Sequence, residues 1–196
     1  MRKFQSFTAP AQRLVGANID TDVIFPARFL LLPQRDGLGP YAFHDHRHMA
    51  TGGWDFSPAR ILVVDENFGC GSSREQAVWA LADLGVEVFI APSLGEIFYN
   101  NCFRSAVLPV LVSPDMHAEI AGIAAAGGNM IIDIERCEMR SGNHVWPFEL
   151  AEDRRRALLE GLDEIDLLLA ARQGAIAEFE KRHMSQSPWI FAAGRT

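Results

Sequence analysis

Residues 60–65, RILVVD, form a short unbroken apolar run of the kind that fills the middle of a sheet covered on both faces. From Ser73 onward Ala77, Val78, Leu81 and Leu84 recur at helical spacing, and Gly85 stops the helix. VEVFI at 86–90 predicts the next strand, closed by Ala91-Pro92, after which Ser93 is placed to cap a helix through LGEIFYNNCF. VLPVLV at 107–112 predicts a third strand. Pro109 has no N–H for a ladder, so this strand belongs at an edge or a bulge. Ser113-Pro114-Asp115 opens a third helix to about Ala126, ended by Gly127-Gly128. Strands and helices alternating through short connections imply an α/β fold: a parallel sheet with right-handed crossovers, flanked by helices.

The flanks follow another pattern. Segments 130–134 and 145–150 bracket Ser141-Gly142-Asn143, which predicts a hairpin and an additional antiparallel β layer. Ala151 to about Arg182 is helical in pattern, with breaks expected near Gly161 and Gly174. The final stretch, SQSPWIFAAGRT, carries turn formers and is expected to be loosely held unless Trp189 and Phe191 dock. There is no internal repeat or low-complexity linker. The expectation is a single domain over 1–196, with a core of about 1–150 and a helical C-terminal extension of about 151–196.

Composition narrows the function classes. With 196 residues, 48% of them apolar, the chain can bury about 70% of its unfolded surface as one domain. No apolar run reaches the roughly 18 residues of a membrane span, and MRKFQSFTAP lacks the apolar core of a secretory signal, so a cytoplasmic protein is expected. A net charge of −7 argues against nucleic acid or an anionic membrane as partner. The basic run Arg154-Arg155-Arg156 follows Glu152 and Asp153 and reads as a solvated helix face. Cys70, Cys102 and Cys137 are odd in number, far apart and without a C-x-x-C, so neither a disulfide framework nor a metal or iron–sulfur site held by this chain alone is expected. His44, His46 and His48 alternate in HDHRH, which on an extended segment puts them on one side. An exposed polar loop is the better reading than a metal site.

The candidate chemistry sits between the first predicted strand and its helix, in DENFGCGSSREQAVWAL at 65–81. A glycine-rich turn lets backbone approach a ligand closely, and the helix start aims free N–H groups and partial positive charge at it. Ser72 and Ser73 add hydroxyls, and Arg74 adds a guanidinium fork suited to a carboxylate or phosphate. The same residues admit a plainer use, in which Ser72 or Ser73 caps the helix and Arg74 pairs with Glu75, Glu66 or another surface acid. The motif is neither a Walker A loop nor a G-x-S-x-G elbow.

FGCGSSREQAVWAL, together with NIDTDVIFPARFL at 18–30, APSLGEIFYNNCFRSAVLPV at 91–110 and GLDEIDLLL at 161–169, resembles the small subunits of isopropylmalate isomerase (3-isopropylmalate dehydratase) of the aconitase superfamily, in the family's order and over nearly the whole chain. The resemblance implies a swivelling β/β/α domain that closes over a large subunit, and it is that partner which holds a [4Fe–4S] cluster through its own cysteines. It further implies that this chain binds no cofactor alone and is active only in a heterodimer or larger complex. The substrate would be a small dicarboxylate hydroxy acid, isomerised by dehydration and rehydration in leucine biosynthesis. By the same resemblance Ser72 is the base at carbon, Arg74 holds a substrate carboxylate, and Ser73 and Gly71 line the substrate. The cluster iron would act as Lewis acid for the departing hydroxyl.

NIDTDVIFPARFL places Asp20, Thr21 and Asp22 at a turn. The segment reads either as a border of the substrate site, as the resemblance implies, or as an Asx-turn leading into a strand VIF that Pro26 ends. By the same resemblance, Arg28 and the loop that follows, with Leu30, Leu31 and Leu32, would meet the variable end of the substrate, although the leucines equally suit packing against core or partner. Arg13 is a further candidate carboxylate clamp. Gln76 stands where many relatives carry histidine, Cys102 reads as core and Cys70 as a wall of the site. A related hydro-lyase acting on citraconate, dimethylmalate or homoaconitate, a non-catalytic anion-binding protein, and a hydrolase using Ser72 or Cys70 remain as alternatives at this point.

Overall fold

The structure is a computed structural model and describes residues 2–31, 36–47 and 59–191. In chain order its elements are β1 (Phe7–Leu14), a helical turn α1 (Thr21–Ile24), a second turn α2 (His44–Arg47), β2 (Ile61–Val64), α3 (Glu75–Asp83), β3 (Val88–Ala91), α4 (Glu96–Arg104), β4 (Leu108–Leu111), α5 (Pro114–Ala125), β5 (Asn129–Asp133), β6 (Glu138–Ser141), β7 (His144–Pro147), α6 (Glu152–Glu160), α7 (Glu164–Gln186) and α8 (Pro188–Phe191). Short 3-10 turns at Ala27–Phe29 and Gly39–Tyr41 complete the N-terminal third. The chain divides into two compact units, Met1–Gly161 and Leu162–Thr196.

One seven-stranded sheet runs through the first unit in the order β4-β3-β2-β1-β5-β6-β7. Strands β1 to β4 are parallel and β5 to β7 antiparallel, as expected for an α/β fold with an antiparallel addition. The join is β1. Its second half, Ala11–Leu14, pairs with Ile61–Val64, and its first half, Phe7–Pro10, pairs with Asn129–Ile132. Pro109 lies on the edge strand β4, where a missing N–H costs no ladder bond.

Two apolar clusters follow from the period-2 alternation of the parallel strands. Leu62, Val64, Phe89 and Ala91 face α3 and α4, meeting Ala77, Val78, Leu81, Phe98 and Cys102. Ile61, Val63, Val88, Ile90 and Val110 join Ile120 of α5, Leu158 of α6 and the antiparallel residues Met130, Ile132, Met139 and Trp146. The parallel strands are therefore covered on both sides, which explains why they read as unbroken apolar runs.

Several expectations meet different outcomes. FTAPAQRL carries Pro10, Gln12 and Arg13 and gives no strand signal, yet it forms the central strand β1. EMRS at 138–141 is a strand as well. The turn at Ser141-Gly142-Asn143 joins β6 to β7, and β5 pairs across a separate turn with β6. The segment VIF is not a strand, because Asp20 accepts the Val23 N–H and caps the turn α1. Ser93 does not cap α4, whose N-cap is Gly95. Gly161 ends α6 in the left-handed conformation, as expected, but Gly174 does not break α7. A lone glycine costs only about 1 kcal/mol, outweighed here by an Asp163–Asp166 capping box and a run of good helix formers. Helix α6 belongs to the first unit, since Leu158 is fully buried and its carbonyl accepts the Phe4 N–H at 2.8 Å. In the second unit Trp189 and Phe191 are exposed, although Phe191 meets His183 edge-on.

A methyl group at Gly174 would meet nothing within 4 Å. Gly174→Ala is expected to stabilise α7 by roughly 1 kcal/mol, seen as slower hydrogen exchange along 164–186 with unchanged exchange in the sheet.

Candidate functional site

The site is assembled from three loops at the carboxyl ends of adjacent parallel strands, the edge where open α/β sheets place their ligands. Residues 15–20 follow β1, 65–74 follow β2 and 92–95 follow β3. Pairing continues beyond the strands themselves. Isolated bridges join Asp20 to Cys70 and Phe68 to Leu94, and Gly69 N–H donates to the Ile19 carbonyl at 2.7 Å while Gly95 N–H donates to that of Phe68 at 2.8 Å.

Two glycines make this crossing possible. Gly69 has φ +73°, and a Cβ there would lie 2.3 Å from the ring of Phe98. A Cβ on Gly95 would lie 2.3 Å from the Gly69 carbonyl oxygen. Beneath them Phe68, Phe89 and Phe98 form an aromatic triad with centroids 5.3 to 5.7 Å apart. Gly71, at φ +89°, then turns the chain so that Ser72 and Ser73 face solvent.

Neither serine caps α3. The N-cap residue is Arg74, with no side-chain cap hydrogen bond, so the helix start keeps its free N–H groups. The plainer use of these serines as caps therefore falls away. Arg74 pairs with neither Glu75 nor Glu66 but, as the plainer reading also allowed, with another surface acid, Asp22. Its Nη1 forms an ion pair with Asp22 and lies 3.5 Å from the Phe25 carbonyl, while Glu75 pairs with Arg104. The guanidinium is largely buried, with its Nε and Nη2 edge left without a partner among the described residues.

The first loop meets this motif closely. Thr21 is buried. Its N–H donates to the Cys70 carbonyl and its hydroxyl donates to the Ser72 carbonyl, both at 2.9 Å. Asp20 is committed to capping α1. The structure thus brings Asp20, Thr21, Asp22, Gly71, Ser72, Ser73 and Arg74 into one cluster, in which Asp20 and Thr21 act on the protein's own backbone.

Arg28 stands apart. It is exposed, paired through two contacts with Asp45, 3.2 Å from His44 Nδ1 and stacked over Phe29 at 4.6 Å. The Arg28 guanidinium holds the Asp45 carboxyl down to about 2. No hydrogen bond or ion pair among the described residues joins Arg28 to the Ser72 loop. His44 and His46 occupy a helical turn rather than an extended segment, which turns them to different sides; His48 lies outside the described residues. Of the three leucines, Leu30 is half-buried, Leu31 is exposed, and Leu32 lies outside the described residues.

Arg13 is a foundation of the site and not a clamp within it. It donates to the carbonyls of Leu14 (2.8 Å) and Val63 (3.2 Å) and pairs with Asp65, whose other oxygen accepts the Gly16 N–H at 2.7 Å. His117 Nε2 lies 2.8 Å from the Val64 carbonyl, against the same strand end. Burial works against the Asp65 charge, but the Gly16 N–H and Arg13 outweigh it and hold its carboxyl below the usual range. Among the described residues no group of three or more His, Cys, Asp or Glu is arranged to hold a metal ion. Cys102 is fully buried, and burial pushes its thiol well up, away from the thiolate a cluster needs.

Sequence reasoning missed Asn18, Asn67, Ser93 and Gly95. Asn18 and Asn67 both have φ +57°, the Asn67 N–H donates to Ser93 Oγ at 2.9 Å, and Asn67 Nδ2 donates to Asn18 Oδ1 at 2.7 Å. An asparagine just past a strand is a fair signal of a left-handed turn, but its partners are set by tertiary contact.

The fold and this loop cluster define an aconitase C-terminal domain, and the family model of that description matches residues 1–115. The 3-isopropylmalate dehydratase small subunit of Agrobacterium fabrum is 41% identical over 96% of this chain and 100% of its own length, and that of Leptospira interrogans is 36% identical over 98% and 100%. A crystal structure of 3-isopropylmalate dehydratase from Methanocaldococcus jannaschii superposes with a TM-score of 0.66 at 25% identity, covering 90% of this chain and 99% of that one. The chain belongs to the family of 3-isopropylmalate dehydratase small subunits.

Two outcomes are expected. Gly95→Ala forces the loops after β2 and β3 apart at a cost of about 1–3 kcal/mol, read as a lower melting temperature with faster exchange in 66–74; an unchanged melt contradicts the close approach. Because the folded Asp65 carboxyl is held low, its contribution is complete above the unfolded value of about 4 and is lost as pH falls through the lower folded value. Asp65→Asn is therefore expected to lower the melting temperature at pH 7 by roughly 2–4 °C, about 1 kcal/mol, and to narrow the gap from wild type in acid.

Proposed function

We propose that the chain is the Ser72-bearing small subunit of a heteromeric [4Fe–4S] hydro-lyase that interconverts 2-isopropylmalate and 3-isopropylmalate. What carries this reading is the Ser72–Arg74 turn: an uncapped helix start, two exposed serine hydroxyls and an arginine anchored, among the described residues, at one end only. Removing a proton from a carbon beside a carboxylate builds negative charge on the substrate. Arg74, held through Nη1 by Asp22 and the Phe25 carbonyl, presents its Nε–Nη2 edge to fork that carboxylate. Ser72 takes the proton and returns it at the neighbouring carbon, which needs its alkoxide stabilised. The free N–H groups of α3 and the Arg74 charge supply that potential once a partner excludes water.

Ser73 and Gly71 line the substrate, and Asp20 and Thr21 hold the turn from behind. Arg28, on its Asp45 pair, stands on the side expected to meet the variable end of the substrate. The three cysteines are scattered and no group of ligands among the described residues fits an iron–sulfur cluster, so the cluster and its Lewis-acid chemistry are assigned to a large partner subunit. The whole chain acts as one swivel-type subunit, inactive alone. With its cysteines free, a reducing compartment, the cytoplasm, suits it.

The test is an anaerobic assay of the chain with its cluster-loaded large subunit, following the unsaturated intermediate formed from 3-isopropylmalate. Ser72→Ala is expected to lower kcat on the order of 10²–10⁴-fold without loss of the complex. Arg74→Lys is expected to raise KM roughly 10–100-fold, the equivalent of about 1.5–3 kcal/mol of charge-assisted hydrogen bonding. A complex that is inert on isopropylmalate but hydrates a smaller unsaturated diacid moves the substrate to a related hydro-lyase. A chain that binds no such partner overturns the proposal.

A further inference from the structure

We propose that Asn67 is a positioning residue for Ser72, acting as a clasp across all three loops of the site. The inference rests on the reading of Ser72 as the base. The 65–74 loop is held from one side by residues 18–21 and from the other by 93–95. Ile19 accepts from Gly69, Thr21 reaches Cys70 and Ser72, and Gly95 donates to Phe68. Each of those links ties the loop to one flank.

Among the described residues of the loop, Asn67 alone bonds both flanks with its own atoms, its N–H to Ser93 Oγ and its Nδ2 to Asn18 Oδ1. Asn18 closes the ring by donating its N–H to the Glu66 carbonyl at 3.0 Å. Asn67 also begins the alternation of left-handed residues, Asn67, Gly69 and Gly71, that carries the chain to Ser72. Gly69 and Gly71 have no side chain to fix their own backbone, so the direction in which Ser72 points depends on the hydrogen bonds that hold the loop and on where that alternation starts.

An exposed hydrogen-bonded ring contributes little to global stability. Its effect lies in geometry, because a base displaced by about 1 Å loses on the order of 10²-fold in rate. The substitutions separate the clasp from the backbone. Asn67→Gly keeps the left-handed conformation and loses the side-chain bond. Ser93→Ala removes the acceptor of the N–H. Asn67→Asp and Asn18→Asp each keep one donor and one acceptor across the pair, the first after Asn18 turns its amide over.

The experiment combines steady-state kinetics of the reconstituted complex, per assembled enzyme, with thermal melting and hydrogen exchange of the full chain. Expected for Asn67→Gly and Ser93→Ala is a fall in kcat of roughly 10–100-fold, with KM and melting temperature close to wild type and several-fold faster exchange confined to 66–74. Asn67→Asp and Asn18→Asp should keep most of kcat. A lowered melting temperature with unchanged kcat makes the clasp merely structural and overturns the proposal, and so does a raised KM at constant kcat, which would mean contact with substrate. If the wild-type complex is inert on isopropylmalate the functional reading falls. The exchange arm still decides the clasp, and unchanged exchange in Asn67→Gly refutes it.

Discussion

The site depends on one close approach of backbone to backbone. The N–H of Gly95 reaches the Phe68 carbonyl, and its Cα passes so near Gly69 that no side chain fits at either position. That contact extends the β2–β3 pairing past the end of both strands and presses the 65–74 loop onto Phe98. Without it the loop would be held from the β1 side alone, and its own residues include Gly69 and Gly71 and two serines whose hydroxyls bond to nothing among the described residues. A rigid scaffold under a glycine-rich sequence is what the proposed catalytic role of this turn requires, since alignment must be settled before the substrate arrives.

Charge is arranged in two pairs that join the same two loops. Arg13 and Asp65 lace the ends of β1 and β2 through two carbonyls and the Gly16 N–H. Arg74 and Asp22 follow a few residues later, with a guanidinium as buried as that of Arg13 but an exposed carboxylate. The first pair is saturated by protein groups, which suits structure. The second leaves an edge of guanidinium without a partner among the described residues, which suits a ligand. This difference separates two arginines that look equally eligible in the sequence.

The parallel half of the fold was legible because strands buried on both faces must be apolar throughout and helices between them must show a 3.6-residue period. Helix α5 announced itself with Ser113 and Pro114, and Pro109 announced an edge. Strand β1 stayed hidden for a physical reason. It changes partners halfway, and its polar Gln12 and Arg13 are tolerated because Arg13 finds Asp65 and two carbonyls that are distant in sequence. Strand β6 hid behind its charges, with Met139 alone fully buried.

By itself, then, the sequence determined the fold class, the Gly-Ser-Ser-Arg turn and the family, since each rests on local periodicity or on a contiguous run of residues. Only the tertiary structure decided which hydroxyls are free, that Asp20 and Thr21 spend their side chains on the protein's own backbone, that Arg13 is buried in an ion pair while Arg74 keeps an open edge, and that Asn67 meets both Asn18 and Ser93. Those outcomes turn on which polar groups find partners dozens of residues away. No local pattern encodes that pairing, because it is created by the strand order that brings three loops to one edge of the sheet.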